Sequence, residues 1–209
     1  MRIAYGSCVG SWNKFQRNVV PAAGDYERPL MALSGQSSIA VAYNMILAAC
    51  QDHDLDALIL LHDDLEITDP QAEEKILAAV AEPDVALVGV AGATSIPGLN
   101  WWDAFDTVGH QLTDSMFIDF GPREGDVASL EGSILAFSPW AIHNLRFDTQ
   151  FPGFHGYDEI SMQALAEGKR VVVRDIDTHH HTKVGFSSTQ SQEQWLLCNE
   201  LFRKKWGFA

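Results

Sequence analysis

The segment that most constrains the fold is 57–69, ALILLHDDLEITD. Its first five residues are all apolar, and polarity rises abruptly at His62, Asp63 and Asp64. An apolar run of this length that ends in charge is typical of a strand buried on both faces, and such strands belong to parallel sheets covered by helices. Ligands of open α/β sheets bind beyond the carboxyl ends of the strands. The segment therefore predicts a functional site at its polar end.

The polar residues after this strand have two interpretations. Neighbouring carboxylates repel one another, and a cation held between them relieves the repulsion, which favours a metal site. The alternative is a solvated turn whose acids cap the next helix. The first interpretation makes Asp63 and Asp64 candidate metal ligands, with His62 beside them.

Composition and charge limit the classes of partner. The chain has 209 residues, 46% of them hydrophobic, which suits one globular domain with a good core. Its net charge of −14 argues against nucleic acid or an anionic membrane as the main partner. An anionic substrate remains compatible with this charge, because a bound cation inverts the local field.

Cysteine use and the termini suggest a reducing compartment. Cys8, Cys50 and Cys198 are far apart and odd in number, so they predict neither a disulfide framework nor a zinc site. The first residues, MRIAYGSCVGSWNKF, lack the apolar core of a signal peptide, and no stretch has the length and apolarity of a transmembrane segment. We therefore expect a cytoplasmic location.

Strands and helices are predicted to alternate through the first half of the chain. Apolar runs predict strands at 2–5, 29–33, 57–61, 85–90, 116–120, 127–137 and 171–173. Periodic segments predict helices after Ser37 or Ser38, after Thr68 or Asp69, and over 139–145 and 158–167. This alternation predicts βαβ units and a parallel sheet.

Two stretches are predicted to be loops. The first, GSCVGSW at 6–12, is rich in the small residues that let backbone N–H groups approach a ligand. The second, at 95–115, is long, aromatic and irregular, and loops of this length are often functional. Trp101 and Trp102 within it suit stacking on a sugar or base, or simple burial in the core.

The C-terminal segment predicts an amphipathic helix from Ser191, with Ser191 and Gln194 as a capping box. Its apolar stripe is expected to pack on the core or on a second copy in a homodimer. The stripe consists of Trp195, Cys198, Phe202 and Trp206.

Several motifs occur together in a fixed order: SSIAVAYN, LILLHDDLEI, VGVAG, LEGSILAFSP, FHGYDEISMQALAEGKRVVV and THHHT. This set resembles the GT-A nucleotide-sugar glycosyltransferases, in particular the small glycosyltransferase-like family that includes the streptomycin-biosynthesis-type domain. The resemblance covers residues 37–182. It implies an α/β, Rossmann-like GT-A fold with a mostly parallel central sheet and helices on both faces. The single domain, 1–209, would comprise a nucleotide-binding half (1–92), an acceptor and metal half (93–190) and a terminal helix (191–209).

The resemblance also implies an activity. Such enzymes use Mn²⁺ or Mg²⁺ to transfer a sugar from a nucleoside-diphosphate sugar to an acceptor hydroxyl, here expected with inversion. The implied metal ligands are Asp63, Asp64 and one histidine of the run 179–181, for which His180 is preferred. The implied donor-binding residues are Ser7, Asn44, His62, Asp63, Glu131 and Gly132. The implied acceptor-binding residues are Trp101, Trp102, His155 and Tyr157. The implied catalytic base is Asp158 or Glu159.

Three points stay open at this stage. His62 stands where a strict DxD motif has its first acid, and Asp158 and Glu159 compete for the role of base. ALSGQSS, at 32–38, lacks the acid that often holds uracil, so the nucleotide is undefined. A metal-dependent hydrolase and an inactive nucleotide-sugar-binding module are the rival classes.

Overall fold

The computed structural model describes residues 2–96, 101–151, 156–182 and 189–207, apart from the side chains of Asp103 and residues 189–191. Its strands are β1 (Ile3–Val9), β2 (Leu30–Ser34), β3 (Ala57–His62), β4 (Leu65–Ile67), β5 (Val85–Gly89), β6 (Ala91–Ala93), β7 (Thr107–Thr113), β8 (Phe117–Asp119), β9 (Gly125–Val127), β10 (Ser129–Leu130), β11 (Ile134–Phe137), β12 (Arg170–Val173) and β13 (Thr178–His180). Its helices are α1 (Trp12–Ala22), α2 (Ile39–Cys50), α3 (Ala72–Val80), α4 (Pro139–Asn144), α5 (Gly156–Ala166) and α6 (Thr189–Trp206), with a 3₁₀ turn at Trp101–Asp103.

A seven-stranded sheet forms the centre, in the order β2-β1-β3-β11-β5-β12-β9. Strands β2, β1 and β3 are parallel to one another, as are β5 and β12. Strand β11 runs antiparallel between β3 and β5, and β9 is an antiparallel edge strand. The prediction of an α/β fold with a mostly parallel sheet is confirmed.

Helices cover the two faces of this sheet, and β3 shows why its sequence is uniformly apolar. Leu58 and Leu60 pack in a core that also contains residues of α2, α4 and α5. Ala57, Ile59 and Leu61 point the other way, into a core shared with α1 and α3. Because successive side chains of a strand alternate between faces, a strand buried on both sides needs apolar residues at every position.

A second sheet was not predicted. It has the order β10-β6-β7-β13-β4, with β8 paired to β7. Strand β7 lies inside the stretch 95–115, so the prediction of one long irregular loop is wrong there; residues 97–100 of that stretch lie outside the described residues. Similarly, the predicted strand 127–137 is three short strands, β9 to β11, in two different sheets.

Helix α1 was also missed. Strand β1 extends to Val9, four residues beyond its predicted end, and Ser11 then caps the helix by accepting a hydrogen bond from the Lys14 amide. The start of α2 agrees with the prediction. Ser38 caps this helix by accepting a hydrogen bond from the Val41 amide. Asp69, proposed as the cap of α3, accepts from the Gln71 amide just before that helix begins.

Helix α6 begins at Thr189, two residues before the predicted capping box. Its apolar stripe packs within the chain: Cys198 and Phe202 are fully buried in a small core with Ile96 and Phe151, and Trp206 packs against it. The structure therefore supports the core interpretation of the stripe and gives no support to a homodimer through it. None of the described helices has the length and apolarity needed to span a membrane.

Candidate metal and donor site

Three side chains converge where the two sheets meet, and we call them the inner cluster: His62, Asp64 and His180. One potential ligand atom from each lies within 4.8 Å of the others. His62 ends β3 of the central sheet, Asp64 lies in the turn that leads to β4, and His180 belongs to β13 of the second sheet. Asp64 Oδ1 lies 3.1 Å from His180 Nε2. Two imidazoles and a carboxylate form a donor set that suits a divalent first-row metal ion.

The inner cluster is electrostatically coupled. Burial by itself raises the pKa of Asp64, but hydrogen bonds from His180 and Lys14 outweigh burial and hold that pKa well below its usual range. Burial lowers the pKa of His62, and the neighbouring His180 lowers it further. Burial also acts to lower the pKa of His180, yet the hydrogen bond to Asp64 and the charge of Glu131 raise it overall. Asp64 is therefore a carboxylate at neutral pH, as a metal ligand must be.

Asp63 has a different set of contacts from Asp64. Its Oδ2 accepts hydrogen bonds from the backbone amides of Gly10 and Ser11, at 2.7 and 2.6 Å. These amides belong to the loop between β1 and α1, so Asp63 fixes that loop. The geometry favours Asp64 over Asp63 as a metal ligand, and both assignments stay predictions.

Helix α5 contacts the inner cluster through Tyr157. The Tyr157 hydroxyl lies 2.5 Å from His62 Nε2. Burial and the charge of Glu131 raise the pKa of Tyr157, so the phenol keeps its proton. A hydrogen bond on one ring nitrogen orients the imidazole and leaves the other nitrogen to a ligand. Tyr157, predicted to bind acceptor, thus lies where it can position His62.

Residues 130–133, with the sequence LEGS, lie between the inner cluster and α5. Glu131 Oε1 is 3.9 Å from His180 Nδ1, and its Oε2 accepts from the Ser133 amide at 2.8 Å. Gly132 has φ +95°, and a Cβ there would lie 2.1 Å from the ring of Tyr157. Only glycine fits at this position without moving Tyr157, so Gly132 is needed for packing; its predicted contact with donor remains a prediction.

The two acids of α5 lie in different surroundings. Glu159 has a fully buried side chain that is paired with Lys205 Nζ at 2.7 Å and also accepts from Gln163. Asp158 is largely buried and accepts a short hydrogen bond from Ser129 Oγ. The ion pair favours a structural role for Glu159, which leaves Asp158 as the better candidate for a base.

The remaining predicted site residues are dispersed. Asn44 bridges to both backbone groups of Phe147, at 2.8 Å each, which is a structural role. Ser7 is fully buried in β1, opposite Leu61 of β3. Trp101 packs on Phe120 in a small core, whereas Trp102 is about half exposed. His155 lies outside the described residues.

Lys14 also contacts the inner cluster, although no sequence motif predicts it there. Its Nζ is 2.9 Å from Asp64 Oδ2. The predicted loop at 6–12 leaves out helix α1, which carries Lys14. Ser11 followed by an apolar residue at Phe15 was the available indication of a helix start.

The fold is of the GT-A glycosyltransferase type, and solved structures share it. A mannosyltransferase from Pyrobaculum calidifontis, PcManGT, in complex with GDP-Man and Mn²⁺, superposes with a TM-score of 0.63 over 98% of this chain and 64% of its own, at 11% identity. GalNAc-T7 with UDP, GalNAc and Mn²⁺ gives a TM-score of 0.61 over 94% of this chain and 47% of its own, at 10% identity.

The chain belongs to the glycosyltransferase-like family, which it matches over residues 4–204. It is 32% identical over 195 residues to the streptomycin biosynthesis protein StrF of Streptomyces griseus, covering 88% of this chain and 69% of that protein. The family resemblance predicted from the motifs is thus confirmed.

Proposed function

We propose that this protein transfers a sugar from a nucleoside-diphosphate sugar to an acceptor hydroxyl, with Mn²⁺ or Mg²⁺ as cofactor and with inversion at the anomeric carbon. The single observation that carries the proposal is the inner cluster, which joins His62, Asp64 and His180 at the carboxyl end of β3. Ligands of open α/β sheets bind at that edge. The structural neighbours are consistent with it, since both hold Mn²⁺, one with GDP-Man and the other with UDP and GalNAc.

The residues present fit a metal cofactor. Asp64 and the two imidazoles would hold the ion, and the nitrogen ligands favour Mn²⁺ over Mg²⁺. When bound, such an ion stabilises the charge that develops on the leaving diphosphate. Lys14, beside Asp64, adds a fixed positive charge at the same edge.

The acceptor hydroxyl must lose its proton as it attacks the sugar. A carboxylate within hydrogen-bond reach supplies this step, with a rate effect of about a hundredfold or more. Asp158 lies in the first turn of α5, and Tyr157 beside it reaches the inner cluster. We assign Asp158 as the base, with Glu159 as the alternative, and assign Trp102 to the acceptor side because its ring is partly exposed.

One experiment distinguishes the proposed transferase from a metal-dependent hydrolase and from an inactive binding module. Calorimetry is run with UDP, GDP and dTDP, each with and without Mn²⁺, and the matching nucleotide sugars are then assayed for turnover. Tighter nucleotide binding with Mn²⁺, followed by sugar transfer, supports the proposal. Such synergy without turnover indicates a binding module, and phosphoester cleavage with metal alone indicates a hydrolase. The anomeric configuration of the product, measured by NMR, tests inversion.

A further inference from the structure

The triple histidine presents two different surfaces. Strand β13 pairs with β4 and β7, with His179 opposite Glu66 and Leu112. Because side chains alternate along a strand, His180 points to one face while His179 and His181 point to the other. His180 meets Asp64 in the inner cluster. The proposed glycosyl transfer makes no use of His179 or His181.

The opposite face gathers four potential ligands, which we call the outer cluster: Glu66, Asp114, His179 and His181. Ligand atoms of Glu66, His179 and His181 all lie within 4.8 Å of one another. His181 Nε2 is 3.0 Å from Glu66 Oε2, and His181 Nδ1 is 3.2 Å from Asp114 Oδ1. The same Asp114 oxygen is 3.1 Å from His179 Nε2. The centroids of the two imidazole rings are 3.9 Å apart.

We propose that the outer cluster is a second metal site, which binds Zn²⁺ or a similar first-row transition ion. His179, His181 and Glu66 supply the ligands, and Asp114 orients His181 by accepting from its Nδ1–H. Two imidazoles and a carboxylate match the ligand chemistry of Zn²⁺, whereas Ca²⁺ and Mg²⁺ prefer oxygen alone. A carboxylate on the second nitrogen of a ligating histidine is the usual outer-shell arrangement.

An ion in the outer cluster would have a structural effect. Glu66 lies on β4, His179 on β13, and Asp114 in the turn between β7 and β8. One ion would therefore join β4 to β13, the strand that carries His180, and Asp114 would link the β7–β8 turn to the site through His181. This inference does not depend on the proposed transferase activity.

The test uses a His180→Ala protein, in which the inner cluster has lost a ligand and the outer cluster keeps all four side chains. Co²⁺ is titrated while its visible absorption is recorded, and Zn²⁺ is then added in competition. We expect one Co²⁺ per chain with a tetrahedral spectrum that Zn²⁺ displaces. Adding Glu66→Gln or Asp114→Asn should weaken Zn²⁺ binding about 10- to 100-fold, and adding His179→Ala with His181→Ala should abolish it.

The matched control is His110→Ala in the same background. His110 forms a separate cluster with Asp175 and Asp177, so its loss should leave Co²⁺ binding unchanged. Circular dichroism checks that each variant is folded, and Glu66→Gln, which keeps the side-chain shape, decides the matter where the double alanine variant unfolds. Unchanged Zn²⁺ affinity in Glu66→Gln and in the histidine variants, or loss of Co²⁺ binding in His110→Ala, overturns the proposal.

Discussion

Two adjacent aspartates at the end of β3 do different work. Asp64 contacts His180 and Lys14, while Asp63 accepts from the amides of Gly10 and Ser11. Asp64→Asn should therefore lower Mn²⁺-dependent nucleotide affinity at least about tenfold, because a neutral amide is a poor ligand for a hard cation. Asp63→Asn is the matched control and should act mainly on stability. Calorimetry with Mn²⁺ and thermal denaturation measure the two effects; equal losses of affinity would contradict the assignment.

A similar comparison distinguishes the roles of the two acids of α5, Asp158 and Glu159. Asp158→Asn should lower kcat strongly and leave donor affinity near that of wild type, since a base acts mainly in the transition state. Glu159→Gln should instead lower the melting temperature, because it breaks the buried pair with Lys205. Steady-state kinetics and calorimetry on the two variants make the comparison. A larger loss of kcat in folded Glu159→Gln would transfer the role of base to Glu159.

Gly132 and Gly168 form a matched pair for testing the packing under Tyr157. Both have positive φ, but a Cβ at Gly132 meets the Tyr157 ring at 2.1 Å, whereas one at Gly168 meets nothing within 4 Å. Gly132→Ala should cost about 3 kcal/mol or more from strain and overpacking together. Gly168→Ala should cost about 1 kcal/mol from the left-handed backbone alone. Urea unfolding of the two variants provides the comparison, and similar costs would mean that the Tyr157 ring moves aside easily.

At the scale of elements, Lys205 connects the last turn of α6 to the rest of the molecule. Lys205 Nζ lies 2.6 Å from Asp148 and 2.7 Å from the buried Glu159. Lys205→Met should destabilise the protein by about 3 kcal/mol, the lower end for a broken buried pair, because Lys205 itself is 38% exposed. The exposed Lys204 provides the control, and Lys204→Met should be near neutral. Chemical denaturation at neutral pH measures both changes.

The stability that the ion pair between Lys205 and Asp148 contributes has a predictable pH dependence. Burial acts to raise the pKa of Asp148, but the hydrogen bond from Lys205 lowers it overall below the usual 3.8. A carboxyl group with a lowered folded pKa adds stability above its unfolded pKa, and this stability is lost as pH falls through the folded value. The stability difference between wild type and Lys205→Met should therefore shrink below about pH 4. A difference that stays constant down to pH 2 would exclude the Asp148 contribution.

The sequence predicted elements whose cause is local and missed those whose cause is distant. Five consecutive apolar residues predict strand β3, and Ser38 with an apolar periodicity predicts helix α2. The short strands β6, β9 and β10 have two or three residues each, so pairing with distant partners defines them. Helix α1 mixes polar residues with a short apolar face and contains Pro21, which is normally a helix breaker.

The same distinction between local and distant causes applies to the candidate site. His62, Asp64 and His180 could be named because each lies at the end of an apolar run or within one conspicuous motif. Their convergence could not be derived, since it depends on how β13 pairs with β4 in the second sheet. The different contacts of Asp63 and Asp64 could not be predicted either, because Asp63 is bound by the amides of the loop after β1.

On the scale of the whole molecule, the inner cluster is a junction between the two sheets. His62 ends a strand of the central sheet, and His180 lies on a strand of the second. An ion held by both would connect the sheets, and a nucleotide diphosphate bound to that ion would strengthen the connection. Metal and nucleotide should therefore stabilise the fold together more than the sum of their separate effects.

This cooperativity predicts a measurable shift in melting temperature. At a nucleotide concentration of about 100 Kd, binding adds about 2.7 kcal/mol, which corresponds to about 5–10 °C for a chain of this size. Hydrogen exchange should slow in β13 and β4 when Mn²⁺ and nucleotide are both present, because those strands carry or adjoin the ligands. Asp64→Asn should remove the joint shift, whereas Glu66→Gln, which alters only the outer cluster, should keep it. Additive effects of Mn²⁺ and nucleotide in wild type would show that the two ligands bind independently and that the inner cluster does not connect them.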